Sequence, residues 1–483
     1  MIQQLHEQLR NREITSTSLV EKYFSVIEEK DKELDAFLSL RKEKALKQAQ
    51  EIDKQFDAGR DMGMLVGIPY GAKDNMCVEG EVVTAGSKML ENYIAPYSAT
   101  VIRRLREQGA VLVGKTNMDE FAMGSSTETS AYKKTKNPHD TSRVPGGSSG
   151  GSAVAVASGM VPWAIGSDTG GSIRQPASLC GVVGLKPTYG RVSRYGLLSM
   201  ASSLDQIGPF ASSVEDCAYI LSALSGEDRN DATSAQSSGK HYEDYLTGDI
   251  AGKKIGVIKE WIEHDGLDER VREKIEMAIR SFESLGAKIE YVSMPTLEYA
   301  IAAYYIIVPS EVSSNMARYD GIRFGLHGEG AKNIFETYTK SRSQGLGDEV
   351  KRRIMLGTYT LSAGYYDAYY KKAQKVRALI RKEFERTFSQ VDLLFGPTSP
   401  EVAFPFGEKT DDPLSMYLAD IYTVTANIAG VPALSFPVGS IEEQGKHLPV
   451  GGQLIAKWFD EEALLCTADV YEKNNTILVK ENK

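Results

Sequence analysis

Apolar residues along this chain recur with two periods, one typical of helices and one typical of buried strands. Leu19, Tyr23 and Ile27 share one face of a predicted helix, which Ser16 would cap. Similar patterns predict helices within residues 45–56, 100–108, 213–223, 271–279, 297–320 and 347–388. Short apolar runs predict strands at residues 64–70, 110–113, 184–187, 254–258, 289–292, 391–395 and 433–436. This alternation predicts the α/β class, with one large mixed sheet covered by helices on both faces.

Domain boundaries leave two alternatives open. The 483 residues would suggest about three domains at roughly 150 residues each. The sequence contains no internal repeat and no long linker. The polar stretch 226–252 is the best candidate for a boundary, but it is equally consistent with a surface loop.

The composition is that of a folded globular protein. Basic residues number 56 and acidic residues 65, so the net charge is −9, and 42% of the residues are hydrophobic. These values exclude collagen-like and disordered chains, and the negative charge argues against a surface devoted to nucleic acid. The four cysteines form no CxxC pair, and no HExxH motif or helical His pair is present, so we expect no metal site.

The sequence carries no recognisable targeting or membrane signal. Its first residues are polar, and no apolar run approaches the ~18 residues that a membrane span needs. We therefore expect a cytoplasmic enzyme with no membrane contact.

Two segments rich in Gly and Ser are the strongest candidates for a site. Residues 145–153 contain Ser148, and residues 166–174 contain Ser172. Each segment leads into a helix-like sequence, so its backbone N–H groups can converge on a negative charge, as in an oxyanion hole. A pair of flexible loops is the alternative, although two such segments favour a site.

A histidine would be the usual base for a serine nucleophile. Residues 146–150 formally match the nucleophile elbow of α/β-hydrolases. His327 and His447 fit the order of that family best, but both look like residues of exposed loops, and His139 lies in a predicted turn. No local pattern marks the acid, so the sequence disfavours a Ser-His-Asp triad.

Lys73 is the best alternative base. It follows the apolar run 64–70, where a lysine is out of place. Lowering a lysine pKa from ~10.4 to ~7.5 costs about 4 kcal/mol, which a core of this size can support. Taken alone, Lys73 would be interpreted as an ordinary solvated lysine just past a strand.

Residues 109–116 satisfy the P-loop expression, but the match is accidental. Their variable positions are Ala, Val, Leu and Val, so the expected phosphate loop is itself a predicted strand, with a helix before it.

Lys73, residues 146–152 and residues 168–172 together resemble the amidase signature family. The separations of 75 residues from Lys73 to Ser148 and 24 from Ser148 to Ser172 match that family's Ser-Ser-Lys triad. The resemblance implies that Ser172 is the nucleophile, Ser148 a bridging serine after a cis peptide bond, and Lys73 the base.

The same resemblance implies the oxyanion hole and the domain organisation. Its N–H donors would be those of Thr169, Gly170, Gly171 and Ser172. Because the resemblance extends over the whole chain, we expect a single amidase signature domain over residues 1–483. The N-terminal helices in residues 1–60 would pack on its core.

Four further segments resemble one branch of that family, the A subunits of tRNA-dependent amidotransferases. They are residues 118–124, 186–193, 205–209 and 364–370. The resemblance implies glutamine hydrolysis that supplies ammonia for converting glutamyl-tRNA(Gln) to glutaminyl-tRNA(Gln), with aspartyl-tRNA(Asn) as a second candidate substrate. It implies a heterotrimer with B and C subunits, in which B binds most of the tRNA. This chain would hold no cofactor, and the complex would use ATP and Mg²⁺.

Three residues would bind the glutamine substrate by the same resemblance. Arg353 would hold its carboxylate and Asp420 its amino group, with Tyr304 nearby. Arg352 is adjacent, so the arginine assignment is open by one position, and solvated surface charges are the alternative for each.

Two other functions stay open. A free-standing amidase would have the same triad and need no partner. A nucleotide-binding or scaffold protein would use the Gly/Ser segments only as structure.

Overall fold

The fold was obtained as a computed structural model, which describes residues 1–59, 63–236 and 239–475. The α-helices are α1 Ile2–Arg10, α2 Ser16–Leu34, α3 Lys42–Asp57, α4 Thr100–Glu107, α5 Gly150–Ala157, α6 Arg174–Cys180, α7 Val214–Leu224, α8 Lys259–Ile262, α9 Glu269–Ser284, α10 Ala300–Asn315, α11 Ile334–Gly345, α12 Asp348–Leu361, α13 Tyr370–Thr387, α14 Pro413–Leu418, α15 Val424–Ala429 and α16 Glu461–Asn474. The strands are β1 Phe37–Leu40, β2 Pro69–Lys73, β3 Val111–Thr116, β4 Trp163–Asp168, β5 Val183–Lys186, β6 Gln206–Ala211, β7 Lys254–Ile258, β8 Lys288–Val292, β9 Leu393–Pro397, β10 Ala433–Glu443 and β11 Lys446–Ala456.

The strands of the described residues form one sheet. Its order is β1-β3-β2-β4-β6-β5-β10-β11-β9-β7-β8. The β2–β3, β2–β4, β7–β8 and β7–β9 pairs are parallel, and the remaining pairs are antiparallel. The predicted α/β class with a large mixed sheet is therefore confirmed.

The strands that carry the site are buried along their whole length. Every residue of β2, β3 and β4 is buried, as expected for parallel strands covered on both faces. The strand predicted from the apolar run 64–70 shares only residues 69–70 with β2, and the sequence pattern missed β4.

The N-terminal helices differ from the prediction. The sequence pattern missed α1, and the cap of α2 is Thr15 rather than Ser16. Thr15 and Ser18 form a reciprocal capping box, whereas the Ser16 hydroxyl donates to the Gly67 carbonyl at 3.0 Å. Ser16 is therefore used in a tertiary contact, which the local pattern could not indicate.

The prediction of an exposed loop at His447 is wrong. The side chain is exposed, but the residue lies in β11, which pairs with β10 as a hairpin. The hairpin turns at Gln444 and Gly445, whose φ values of 53° and 75° suit a tight two-residue turn. Its sequence, Gln-Gly, is a weaker turn signal than Asn-Gly.

The domain prediction stays a prediction. Residues 1–59 contain α1, α2 and α3, and also β1, which pairs with β3. Residues 226–252 contain one short 3₁₀ helix, Tyr242–Tyr245, and residues 237–238 lie outside the described part. Within the described residues, no helix has both the length and the apolar character needed to cross a membrane.

Candidate active site

The candidate site lies at the carboxyl ends of two neighbouring parallel strands. Lys73 is the last residue of β2, and residues 169–172 directly follow β4. Because β2 and β4 pair in parallel, their ends meet at the same edge of the sheet, where open α/β sheets usually bind ligands. The sheet therefore brings together residues that are about a hundred positions apart.

Lys73 contacts hydroxyl and carbonyl oxygens. Its Nζ lies 2.7 Å from Ser148 Oγ and 2.8 Å from Ser149 Oγ, and a longer contact of 3.4 Å reaches the Ser167 carbonyl. Lys73, Ser148 and Ser149 have no exposed surface. The predicted contact between Lys73 and Ser148 is present in the structure.

Burial lowers the pKa of Lys73 to about 7. The negative charges of Asp119, Asp168 and Asp205 oppose this effect but do not cancel it. A large fraction of Lys73 is therefore neutral near pH 7, and a neutral amine can accept a proton.

The two serine segments are tied together through their backbones. The peptide bond between Gly147 and Ser148 is cis, the Ser149 N–H donates to the Ser172 carbonyl at 3.2 Å, and the Gly147 N–H donates to Gln175 Oε1 at 2.9 Å. Ser172 is 9% exposed, whereas Ser148 has no exposed surface. Ser172 is thus the serine of this pair that a substrate can reach.

A buried carboxylate holds the loop that carries Ser172. Asp168 accepts the N–H groups of Gly171 at 2.8 Å and Ile173 at 3.2 Å, and it pairs with Arg174 at 3.1 Å. Burial favours a higher pKa for Asp168, but the charge and hydrogen bonds of Arg174 outweigh burial and lower it to about 2. Asp168 is therefore ionised and a permanent acceptor.

This contact affects the predicted oxyanion hole. The Gly171 N–H already donates to Asp168, so in this structure it is not available to a substrate. The N–H groups of Thr169, Gly170 and Ser172 remain the candidates, and the oxyanion hole itself stays a prediction.

Asp420 and Tyr304 approach the same loop from outside the sheet. Asp420 is buried between α14 and α15, and its Oδ2 accepts a hydrogen bond of 2.6 Å from Ser125. Burial raises its pKa to about 7, against the Ser125 hydrogen bond and the charge of Arg353. Tyr304 in α10 packs so closely on Gly170 that a Cβ there would overlap its hydroxyl.

Arg353, rather than Arg352, faces this region. Arg353 is buried, and its positive charge opposes the burial-driven rise in pKa of both Tyr304 and Asp420. The Arg352 side chain is 43% exposed. Both arginines pair with Glu349, which stands one helical turn before Arg353.

Two tyrosines support the Arg353 guanidinium. The rings of Tyr305 and Tyr417 stack with centroids 3.8 Å apart, and the guanidinium lies 5.5 Å from each centroid. Tyr417 also donates to Glu349 at 3.0 Å. These contacts limit the orientations that the Arg353 guanidinium can adopt.

A cavity of about 410 Å³ opens beside these residues. Ser125, Arg353 and Tyr417 are part of its wall, together with Glu120 and Lys409. Its size lies in the range typical of small-molecule sites. Arg353 and its neighbour Arg352 both lie in its wall, whereas Asp420 and Tyr304 do not.

The histidines and the P-loop-like segment that the sequence offered as alternatives make structural contacts instead. His139 Nε2 contacts the Cys180 carbonyl and His327 Nδ1 contacts the Gly321 carbonyl, both at 3.0 Å. Lys115, in the P-loop-like segment, is buried in β3 and pairs with Asp74 at 2.8 Å, so it cannot reach a phosphate. Over the described ranges, no cluster of three or more His, Cys, Asp or Glu is arranged for a metal ion.

The sequence pattern missed several residues that support the site. Ser149 lies within the 146–152 segment and Asp168 begins the 168–172 segment, yet their composition gives no sign of the contacts that these two side chains make. Glu349 has a detectable signal, because it is four residues before Arg353 in a predicted helix. Ser125 and Gln175 reach the site through tertiary contacts alone, and no sequence signal identifies them.

Comparison with known proteins identifies relatives over nearly the whole chain. The amidase family model matches residues 18–465. The A subunit of the glutamyl-tRNA(Gln) amidotransferase of Caldanaerobacter subterraneus is 56% identical over 472 residues, which cover 98% of this chain and 96% of that protein. The protein of the same name from Geobacillus kaustophilus is 52% identical over 472 residues, with 98% and 96% covered.

Solved structures with the same fold include both amidotransferase subunits and free amidases. The A subunit of the glutamyl-tRNA(Gln) amidotransferase of Thermotoga maritima superposes with a TM-score of 0.79 at 44% identity, covering 95% of this chain and 92% of that one. A peptide amidase from Stenotrophomonas maltophilia superposes with a TM-score of 0.83 at 31% identity, covering 98% and 96%.

Proposed function

This chain belongs to the amidase signature family, and from that premise we propose that it is the glutamine-hydrolysing subunit of a tRNA-dependent amidotransferase. The observation that carries the proposal is the fully buried contact of 2.7 Å between Lys73 and Ser148, with a lysine pKa of about 7. The relatives at 52–56% identity, named as such subunits, support this function over that of other amidases.

Hydrolysis begins with proton transfer along the triad. Neutral Lys73 accepts a proton from Ser148, Ser148 accepts one from Ser172, and the Ser172 oxygen attacks the side-chain amide carbon of glutamine. The oxyanion is stabilised by the N–H groups of Thr169, Gly170 and Ser172. The C–N bond breaks, and the proton returns through Ser148 to the departing ammonia. Water then hydrolyses the glutamyl ester and releases glutamate.

Opposite charges select the free amino acid. Arg353 binds the α-carboxylate of glutamine, and Asp420 binds its α-ammonium. Tyr304 packs against Gly170, in the loop that precedes Ser172. An ammonium group beside Asp420 favours the ionised form of this carboxylate and so offsets the effect of burial on the pKa of Asp420. The supported geometry of Arg353 fits a forked contact with a carboxylate.

The remaining steps belong to partner subunits. We propose that B and C subunits complete a heterotrimer, that B binds most of the tRNA, and that the ammonia converts glutamyl-tRNA(Gln), and also aspartyl-tRNA(Asn) where the cell requires it. ATP and Mg²⁺ would act on the partner, because Lys115 in the P-loop-like segment is already paired with Asp74. With a role in aminoacyl-tRNA synthesis, the protein would act in the cytoplasm.

Ammonia release from glutamine tests the proposal. It is measured for the chain alone and with the B and C subunits, ATP and glutamyl-tRNA(Gln), using wild type and Ser172→Ala. We expect release that depends on Ser172 and rises with the partners. Release indifferent to the partners would favour a free-standing amidase. Ser172-dependent cleavage of another amide, but not of glutamine, would support the proposed triad and contradict the role in the amidotransferase pathway.

Two neighbouring arginines provide a matched control for substrate binding. Arg353→Ala should raise the KM for glutamine at least about a hundredfold, because a charge-assisted contact in a buried site is lost. Arg352→Ala, at the exposed position, should change KM less than about threefold. Equal effects of the two substitutions would contradict the assignment of Arg353.

A further inference from the structure

The peptide group between Gly170 and Gly171 is held at both of its polar ends. Its carbonyl, from Gly170, accepts a hydrogen bond of 2.6 Å from the Thr423 hydroxyl. Its N–H, from Gly171, donates to Asp168 Oδ1 at 2.8 Å. The two contacts come from different elements, so together they define the plane of this peptide.

Close packing leaves the loop no room to turn. Thr423 has no exposed surface, and a Cβ on Gly171 would overlap its side chain. On the other side, Tyr304 occupies the space that a Cβ on Gly170 would need. Two glycines in sequence would otherwise allow the peptide to rotate, since neither has a side chain to restrict φ and ψ.

Thr423 also belongs to the turn that carries Asp420. The Thr423 N–H donates to the Asp420 carbonyl at 3.1 Å, and the hydroxyl lies 3.0 Å from the same carbonyl. The Asp420 carboxylate is in turn held by Ser125 at 2.6 Å. One turn therefore joins the carboxylate that faces the substrate to the loop that precedes the nucleophile.

We propose that Thr423 is a positioning residue of the amide-hydrolysis site. Its hydroxyl fixes the Gly170–Gly171 peptide, and so the direction of the flanking N–H groups of Gly170 and Ser172 that stabilise the oxyanion. It also keeps these donors at a constant distance from Asp420. The inference rests on the proposed function in that it assumes acylation of Ser172.

Three variants separate this role from general stability. Thr423→Val keeps the shape and removes the hydroxyl, and Thr423→Ser keeps the hydroxyl. Thr425→Val is the matched control, because Thr425 is also buried, and its hydroxyl donates to the Tyr422 carbonyl of the same segment at 3.2 Å rather than to the Gly170–Gly171 peptide.

Two substrates are used with the full chain, alone and in complex with its partner subunits. Glutamine tests the complete site, and p-nitrophenyl acetate, which has neither α-carboxylate nor α-ammonium, tests only the triad and the oxyanion donors. Losing one oxyanion donor costs roughly 10²–10³ in kcat, so we expect Thr423→Val to lower kcat at least about tenfold on both substrates. The KM for glutamine should change less than about twofold if only transition-state stabilisation is lost.

The hydroxyl must account for the effect. Thr423→Ser should restore kcat to within about threefold of wild type, and Thr425→Val should leave kcat unchanged, since one hydrogen bond within a helix contributes only about 1 kcal/mol to stability. An unchanged kcat in Thr423→Val, equal losses in Thr423→Val and Thr423→Ser, or an equal loss in Thr425→Val would overturn the inference. The two proposals can also fail separately. If hydrolysis of p-nitrophenyl acetate depends on Ser172 and Thr423, but glutamine is not hydrolysed under any condition, the proposed function fails while the inference stands.

Discussion

The ends of β2 and β3 each carry a buried lysine, and the two lysines have different surroundings. Lys73 and Lys115 stand on neighbouring parallel strands, with Lys115 level with Ala72. Their exposed fractions are 0% and 1%. Lys115 Nζ lies 2.8 Å from the carboxylate of Asp74 and 2.9 Å from the Met76 carbonyl, whereas Lys73 contacts two hydroxyls and one carbonyl.

The difference shows what determines the chemistry of a buried amine. A carboxylate in contact compensates the charge of Lys115, which suits a structural ion pair. Hydroxyls do not compensate a charge, so burial dominates for Lys73 and lowers its pKa to about 7. The same residue type in the same layer of the protein is therefore an ion-pair partner at one position and the proposed base at the other.

Removing the Lys73 amine should have the largest effect. Lys73→Met should lower the kcat of ammonia release roughly 10⁴-fold, the upper end of what a general base contributes. The free energy of unfolding should stay the same or increase, because an apolar side chain replaces a buried amine that has no counter-charge in contact. Steady-state kinetics and urea unfolding measure the two quantities. Residual activity above about 1% of wild type would show that another group acts as the base.

Removing the Lys115 amine should affect stability instead. Lys115→Met leaves Asp74 buried without its partner, so the free energy of unfolding should fall by about 3–5 kcal/mol. The double variant with Asp74→Asn should recover part of this loss, because the unpaired charge is then absent. Urea unfolding of the single and double variants measures the coupling. A loss below about 1 kcal/mol in Lys115→Met would contradict the comparison.

The pH dependence of kcat follows from the pKa of Lys73. The neutral amine is the active form, and it is depleted as the pH falls through about 7. We expect kcat to fall about tenfold per pH unit below this value and to be constant above it. Saturating glutamine is required, because Asp420 also has a pKa of about 7 and would change KM in the same range. A break near the ordinary lysine pKa would show that the pKa of Lys73 is not lowered in the working site, and a profile with no break between these two values would show that Lys73 is not the base.

The two hydroxyls on Lys73 should differ in importance. Ser149→Ala removes the 2.8 Å hydrogen bond to Lys73, together with contacts of 3.1 and 3.4 Å to the Ser167 backbone. Losing the bond to Lys73 corresponds to about 1 kcal/mol or a fivefold change in kcat. Ser148→Ala interrupts the proton path to Ser172 and should lower kcat at least about a hundredfold. Equal effects of the two substitutions would show that Ser148 does not relay the proton.

The segments that carry the candidate catalytic residues could be recognised because their signals are local, whereas the roles of Lys73, Ser148 and Ser172 come from the family resemblance. The glycines before Ser148 and Ser172, and the lysine after an apolar run, lie within short segments whose composition alone is unusual. The predicted contact of Lys73 with Ser148 and the cis bond at Ser148 are both present. The strand order that places them side by side could not be deduced from those segments.

Support for these residues comes from distant parts of the chain and could not be predicted. Thr423 reaches Gly170 across 253 positions, and Ser125 reaches Asp420 across 295. A threonine or serine in a polar stretch has the same local appearance whether it is solvated or bound to an active-site loop. Strand β11 was missed for a related reason, because its pairing with β10 rather than a strong turn signal at residues 444–445 defines it.

Local sequence patterns were enough to predict the α/β class and the two Gly/Ser segments, because periodicity and backbone freedom act over a few positions. The tertiary structure decided that Lys115 pairs with Asp74 while Lys73 contacts hydroxyls, since burial and counter-charge depend on residues contributed by the whole sheet. It also decided that Arg353 rather than Arg352 is buried near Tyr304 and Asp420, because adjacent residues of a helix point about 100° apart. Finally, it decided that the Gly171 N–H binds Asp168, because the direction of an N–H group in a glycine-rich loop is set by the acceptor that packs against it.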